Sequence, residues 1–124
     1  MAADAESIAA AALSGASFPV QQGPERAEPD ESIFVVSTGG PAPFPELANG
    51  TTTRYVRVSV IVRSDRGEYS TGYAETLDVW DLLDRAQPSG AVTIRHTSSA
   101  PNYFGPDEEG RHRWSIPIVV VIDD

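Results

Sequence analysis

Few residues in this chain could carry chemistry. His96 and His112 are the only imidazoles, and there is no cysteine and no lysine. No short spacing joins the histidines to each other or to a carboxylate as a zinc site would require. Without cysteine there is no thiolate nucleophile, thiolate metal site or disulfide. Asp107, Glu108 and Glu109 are consecutive and could draw a cation. They lack the alternating ligands of a calcium loop, so a solvated acidic turn is expected. Gly39-Gly40-Pro41 has neither the strand–loop–helix setting nor the lysine of a phosphate cradle. Ser98 and Ser99 stand outside any glycine elbow. Asp78, Asp81 and Asp84 step by three, as the wet face of a helix would. These residues point away from an enzyme, and no cofactor or metal is expected.

The charged residues suit assembly better than catalysis. All nine cations are arginine, against eighteen carboxylates, for a net charge of −9. Such a surface repels nucleic acid in general, yet it suits a channel through which a polyanion slides without being gripped. Arg57, Arg63, Arg95, Arg111 and Arg113 fall on or beside expected strands. Arginine is favoured at interfaces because its planar fork pairs carboxylates bidentately. Ion pairs between like subunits and scattered surface arginines are both open readings. No stretch approaches the ~20 apolar residues of a membrane helix. Asp4 and Glu6 precede the alanine run where a secretory signal would be basic. The expected location is the cytosol, or a particle assembled there.

The elements that must position these residues follow from pattern. With 124 residues, one domain over 1–124 is expected: a short helix and an acidic irregular segment over 1–32, then a core over 33–122. Alanine and the early acids predict a helix over 3–13, with Ile8, Ala12 and Leu13 as its apolar stripe. Pro19, Gly23, Pro24 and Pro29 predict irregular chain over 17–31. Ile33 to Val36 reads as a short strand, ended by Gly39-Gly40 and a proline-rich loop reaching about Thr51. Residues 54–63 alternate, with Val56, Val58, Val60 and Val62 on one face and Tyr55, Arg57, Ser59, Ile61 and Arg63 on the other. A long helix over 68–86 carries Tyr69, Tyr73, Leu77, Trp80 and Leu83 as its expected buried stripe. Residues 91–99 read as a strand, 101–110 as a loop, and 113–122 as a last strand, where Pro117 favours an edge or a bulge. The fold expected is α+β: a two-layer sandwich with a mainly antiparallel sheet of about four strands, one long helix packed on it, and the short N-terminal helix. The last strand is apolar on both faces near its end, with Val119, Val120, Val121 and Ile122 in a row. The second sheet face must be covered by the short helix, a loop or another subunit.

Three segments in order carry a resemblance. The first is Val36-Ser-Thr-Gly-Gly-Pro41 with its proline-rich sequel. The second is Val56-Arg-Val-Ser-Val-Ile-Val-Arg63 leading to Tyr69 and Tyr73. The third is Phe104-Gly-Pro-Asp-Glu-Glu-Gly-Arg111 leading to Trp114-Ser-Ile-Pro-Ile-Val119. Over 33–122 the chain resembles the tail terminators, minor capsid or tail-completion proteins of long-tailed phages and of phage-like gene transfer particles. Pro117 departs from the polar residue often found at that place.

The resemblance implies a non-enzymatic virion protein. Six copies would form a ring at the head-proximal end of the tail, assembled in the host cytoplasm. The ring would stop tube polymerisation and join the tail tube protein to the head–tail connector protein. DNA would pass through without specific binding, and no membrane would be involved. A six-fold ring uses a heterologous interface. Its candidate residues are Tyr55, Arg57, Ile61, Val119 and Val121. Phe44, Leu47, Tyr103, Phe104 and Arg111 are candidates for contacts above and below the ring. Two other readings stand beside it. One is a different connector or a tail-tube subunit; the other is a small α+β ligand-binding or regulatory domain.

Overall fold

The two most regular runs of alternating residues pair with each other at the centre of the sheet. In the computed structural model, which describes residues 4–40, 44–45, 52–86, 88 and 92–123, the elements in chain order are α1 (Ala5–Ala12), β1 (Val20–Gln22), β2 (Ser32–Gly39), β3 (Phe44–Pro45), β4 (Thr52–Arg66), α2 (Tyr69–Asp84), β5 (Val92–His96), β6 (Asn102–Pro106) and β7 (Arg111–Asp123). β4 and β7 run antiparallel with Val58 opposite Ile118, Val60 opposite Ile116 and Val62 opposite Trp114. All six side chains are buried. Alternation puts every second residue on one face, so one face of this pair is the core wall. Each fully buried aliphatic side chain contributes roughly 1.5–3 kcal/mol of transfer free energy.

The sheet is mixed and larger than four strands. Its order is β1-β2-β4-β7-β5, with the two-residue β3 beside β4, and with β6 along β7. β1 is parallel to β2; the other pairings are antiparallel. Three strands, β1, β3 and β6, lay hidden in stretches read as irregular or loop. β1 is three residues long among prolines. β6 contains Gly105 and Pro106, which mimic a loop signal. It forms a hairpin with β7 through the turn at 107–110, where Gly110 takes φ 80°. Asp107 Oδ1 accepts from the N–H groups of Glu109 and Arg111 there.

Pro117 lies inside a central strand, not at an edge or bulge. β6 reaches only as far as Ser115 of β7, and β5 begins pairing at Ile118. The Pro117 carbonyl points into that gap, where it accepts from the Thr97 N–H. A strand residue's N and C=O point the same way, so the missing N–H falls where the neighbouring strands part and costs no ladder bond.

Both helices cover the same face. α1 starts at Asp4, whose Oδ1 accepts from the Glu6 N–H. It buries Ala5, Ala9 and Leu13 against the sheet, with Ile8 and Ala12 packed at the margin. The short helix therefore does not cover the second face. α2 lies beside it, rotated part-way from the expected orientation: Leu83 is buried and Trp80 packs against the core as expected, but the first half of the helix turns another side down. Gly72, Glu75, Thr76, Val79 and Leu83 are buried, whereas Tyr69, Tyr73 and Leu77 are 43%, 44% and 43% exposed. The cause is Trp114. A Cβ at Gly72 would fall 2.6 Å from Trp114 Cζ3 and 2.6 Å from Ser64 Cβ. The helix approaches the sheet closely enough at the indole that only glycine fits at position 72. Buried Glu75 ties α2 to the link between α1 and β1: its Oε2 accepts from the N–H groups of Ser17 and Phe18, both at 2.8 Å.

Candidate functional site

The face of the sheet turned away from the helices is half covered from within. β1 and β2 are parallel neighbours and need a crossover. Segment 23–31 makes it by passing over the outer face, and two buried arginines fix it. Arg63 is 1% exposed. It donates from Nε to the Asp30 carbonyl (3.0 Å) and from Nη2 to the Pro29 carbonyl (2.7 Å). Its guanidinium lies 4.8 Å from the centre of the fully buried Phe34 ring. Arg111 donates to Asp107 (2.7 Å), the Ala27 carbonyl (2.7 Å) and Asp30 (3.1 Å). Glu25 lies between Arg63 and Arg113, at 3.9 and 3.8 Å.

This network shifts its own titrations. Burial lowers the Arg63 pKa, helped by the nearby charge of Arg111, against the pull of Glu25. At Asp107, burial works to raise the pKa. Hydrogen bonds from the Arg111 N–H and guanidinium and from the Glu109 N–H outweigh it and hold the carboxyl below its ordinary value. At Arg111, burial works to lower the pKa, and the bonds to Asp107 and Asp30 raise it instead. The acidic turn at 107–109 is thus partly an internal clamp. Asp107 and Glu109 hold arginines, and among the described residues no group of carboxylates and histidines is placed to hold a metal.

The other half of the outer face has no such cover among the described residues. Tyr55 stands opposite Val121, Arg57 opposite Val119, and Ser59 opposite Pro117. Thr93 and Arg95 on β5 continue the first two rows. Tyr55, Ile61, Val119 and Val121 are half-buried, and Arg57 and Arg95 are exposed. The five candidate interface residues therefore share one face. Tyr55, Arg57, Val119 and Val121 form two adjacent rows, and Ile61 lies further along, opposite Ser115 and Phe34.

A second surface lies on the opposite layer. Tyr69, Tyr73 and Leu77 run along the exposed flank of α2. Tyr69 contacts Trp114 and Tyr103 edge-on or tilted, with centroids 5.2 and 5.4 Å away. The Tyr103 hydroxyl is hydrogen-bonded to His112 Nδ1 at 2.8 Å. His96 stacks flat on Trp80 at 3.6 Å, and neither of its ring nitrogens has a hydrogen-bond partner. The two histidines are held apart in separate aromatic clusters, and neither joins a nucleophile. An open groove of about 430 Å³ lies between Ser17, Phe18 and the Ser70–Thr71–Ala74–Asp78 side of α2. It gathers no convergent catalytic groups.

The remaining sequence candidates scatter. Tyr103 and Phe104 are exposed on β6, and Phe104 packs under the Arg113 guanidinium at 4.5 Å. Arg111 is 7% exposed and committed to the clamp. Phe44 lies in β3, paired with Thr53, but its side chain is outside the described residues, as is Leu47. Sequence reasoning did not separate Arg63 from Arg57. Both follow valines in one strand, and only the course of segment 23–31 distinguishes the anchored arginine from the free one.

Among the described residues, then, this α+β chain has one sheet face covered at one half only and an aromatic stripe on the opposite layer. The family pattern described as bacteriophage tail terminator protein matches residues 24–124, and the chain belongs to that family. It is a structural component of the phage tail. No match was found among curated proteins. Among the described residues no helix is long and apolar enough to cross a membrane.

Proposed function

We propose that six copies of this chain form a ring that caps the tail tube at its head-proximal end. The ring stops tube polymerisation and offers the surface on which the head–tail connector seats, with DNA passing through its centre. The observation that carries this reading is the sheet face that the described residues leave half bare. Val119 and Val121 lie beside Arg57 and Arg95, with Ile61 further along β4, on a face that the chain's own segment 23–31 covers only at its other end. Apolar strand residues left open in this way mark a protein contact. Family membership supplies the setting. The net charge of −9 keeps a lumen from gripping a polyanion. The rings differ from tail-tube subunits in stopping after one layer. The experiment is electron microscopy of lysates from a phage or particle lacking this chain. Tails of uncontrolled length that never join heads are expected. Tails of normal length attached to heads would refute the capping role.

A further inference from the structure

The two opposite surfaces have complementary composition. On the sheet, Arg57 and Arg95 stand in register on either side of Val119. They are two strand spacings apart, about 10 Å. Both are exposed, and among the described residues neither has an ion pair. By contrast, Arg63, Arg66, Arg111 and Arg113 are each bound to Glu25, Asp30, Asp107 or Glu109. Arg26 and Arg85 also lack ion pairs among the described residues, but each donates to its own segment, to Gln21 and the Gln22 carbonyl and to the Asp81 carbonyl; Arg57 and Arg95 are the ones that stand together in one row.

On α2, Tyr73, Leu77, Asp81 and Asp84 follow at intervals of four, four and three, which places them on one flank of the helix. All four are exposed. Asp81 has no ion pair among the described residues, and Asp84 has only His96, at 3.9 Å. The stripe thus offers two large apolar groups and two carboxylates, where the sheet face offers two valines and two guanidiniums.

The patches lie on opposite layers of the sandwich, so they cannot meet within one chain. A two-fold dimer through the sheet face would bring two cationic rows together, and one through α2 would bring acids together. Only stripe against sheet face pairs unlike charges, and that contact repeats head to tail, as a ring requires. We infer that the α2 stripe of one copy docks on the open sheet face of the next, with Asp81 and Asp84 meeting Arg57 and Arg95, and Tyr73 and Leu77 covering Val119 and Val121. This deepens the ring reading and rests on it.

The absence of cysteine allows a direct test. In Leu77→Cys/Val119→Cys, mild oxidation of the full chain, alone and with isolated tail tubes, should yield a ladder of covalent oligomers on a non-reducing gel. Each single variant should give no species beyond a dimer. Independently, Arg57→Asp/Arg95→Asp and Asp81→Arg/Asp84→Arg should each weaken self-association at least tenfold by sedimentation equilibrium. An equal mixture of the two reversed chains should assemble again. All these positions are exposed or half-buried, and unchanged melting by circular dichroism checks that the variants fold. An oligomer that forms normally in both reversed variants, with no ladder from the cysteine pair, overturns this contact while leaving a ring intact. A chain that stays monomeric at about 1 mM and on tube ends, with no ladder, overturns the ring itself.

Discussion

Substituting Gly72 by alanine distinguishes the two ways in which α2 could sit on the sheet. In a free helix interior, Gly→Ala stabilises by about 1 kcal/mol. Had the helix buried its Tyr69–Tyr73–Leu77 side, Gly72 would lie at the margin of the contact, with room for a methyl, and that gain would be measured. In the structure, the new methyl meets Ser64 Cβ at 2.6 Å and Trp114 Cζ3 and Cη2 at 2.6 and 2.9 Å. Neither neighbour can yield easily. Trp114 and Ser64 are buried, and the Ser64 hydroxyl is bound both to the Asp65 carbonyl and to the His112 N–H. Overpacking of a rigid core costs about 1–3 kcal/mol, and three contacts under 3 Å place this site at the upper end. The net expectation is a loss of about 2 kcal/mol. Urea denaturation of the purified chain, read by tryptophan fluorescence, measures it. A double-mutant cycle with Trp114→Phe should return part of the loss, because the phenyl ring withdraws the crowding atoms. A Gly72→Ala variant more stable than the parent would refute the helix orientation, and with it the exposure of the Tyr73–Leu77 stripe.

Arg63→Met should cost about 2–4 kcal/mol, because it leaves the Pro29 and Asp30 carbonyls without their buried donor. Proteolysis within 23–31 should accelerate, as followed by mass spectrometry of the fragments. Glu75→Ala should destabilise by about 1–3 kcal/mol through the orphaned N–H groups of Ser17 and Phe18, measured by thermal melting. Asp107 gives a pH dependence. Its folded pKa lies below the ordinary value of 3.8, so the unfolded chain takes up the proton first. Its contribution is complete above the unfolded pKa and is lost as pH falls through the folded one. Urea midpoints between about pH 5 and 2 should therefore decline less steeply in Asp107→Asn than in the parent.

The sheet was legible wherever residues alternate without interruption. β4 and β7 show their core faces directly, because valine and isoleucine at every second position have one physical solution beside a water-facing set. β6 was not legible, because Gly105 and Pro106 carry the signals of a turn although the strand needs only a few ladder bonds to β7. The face of α2 was legible at Trp80 and Leu83 but not at Tyr69, Tyr73 and Leu77, for a related reason. Apolar periodicity assumes that large side chains go inward, whereas close approach to Trp114 demands Gly72 and turns the tyrosines toward the flank. The outer-face candidates Tyr55, Arg57, Val119 and Val121 were legible as a set because strand parity alone groups them. What separates Arg57 from Arg63 and Arg111 is the path of a nine-residue crossover that contains Pro24 and Pro29. No local pattern in the sequence encodes that path.

The central claim, that this chain closes the tail as a single ring, is tested most directly by cryo-electron microscopy of purified particles with the chain located in the map. The account predicts one ring of six copies between the tail tube and the head connector, each α2 against the neighbour's sheet face. Copies repeating along the tube, or a particle without the chain, would contradict it.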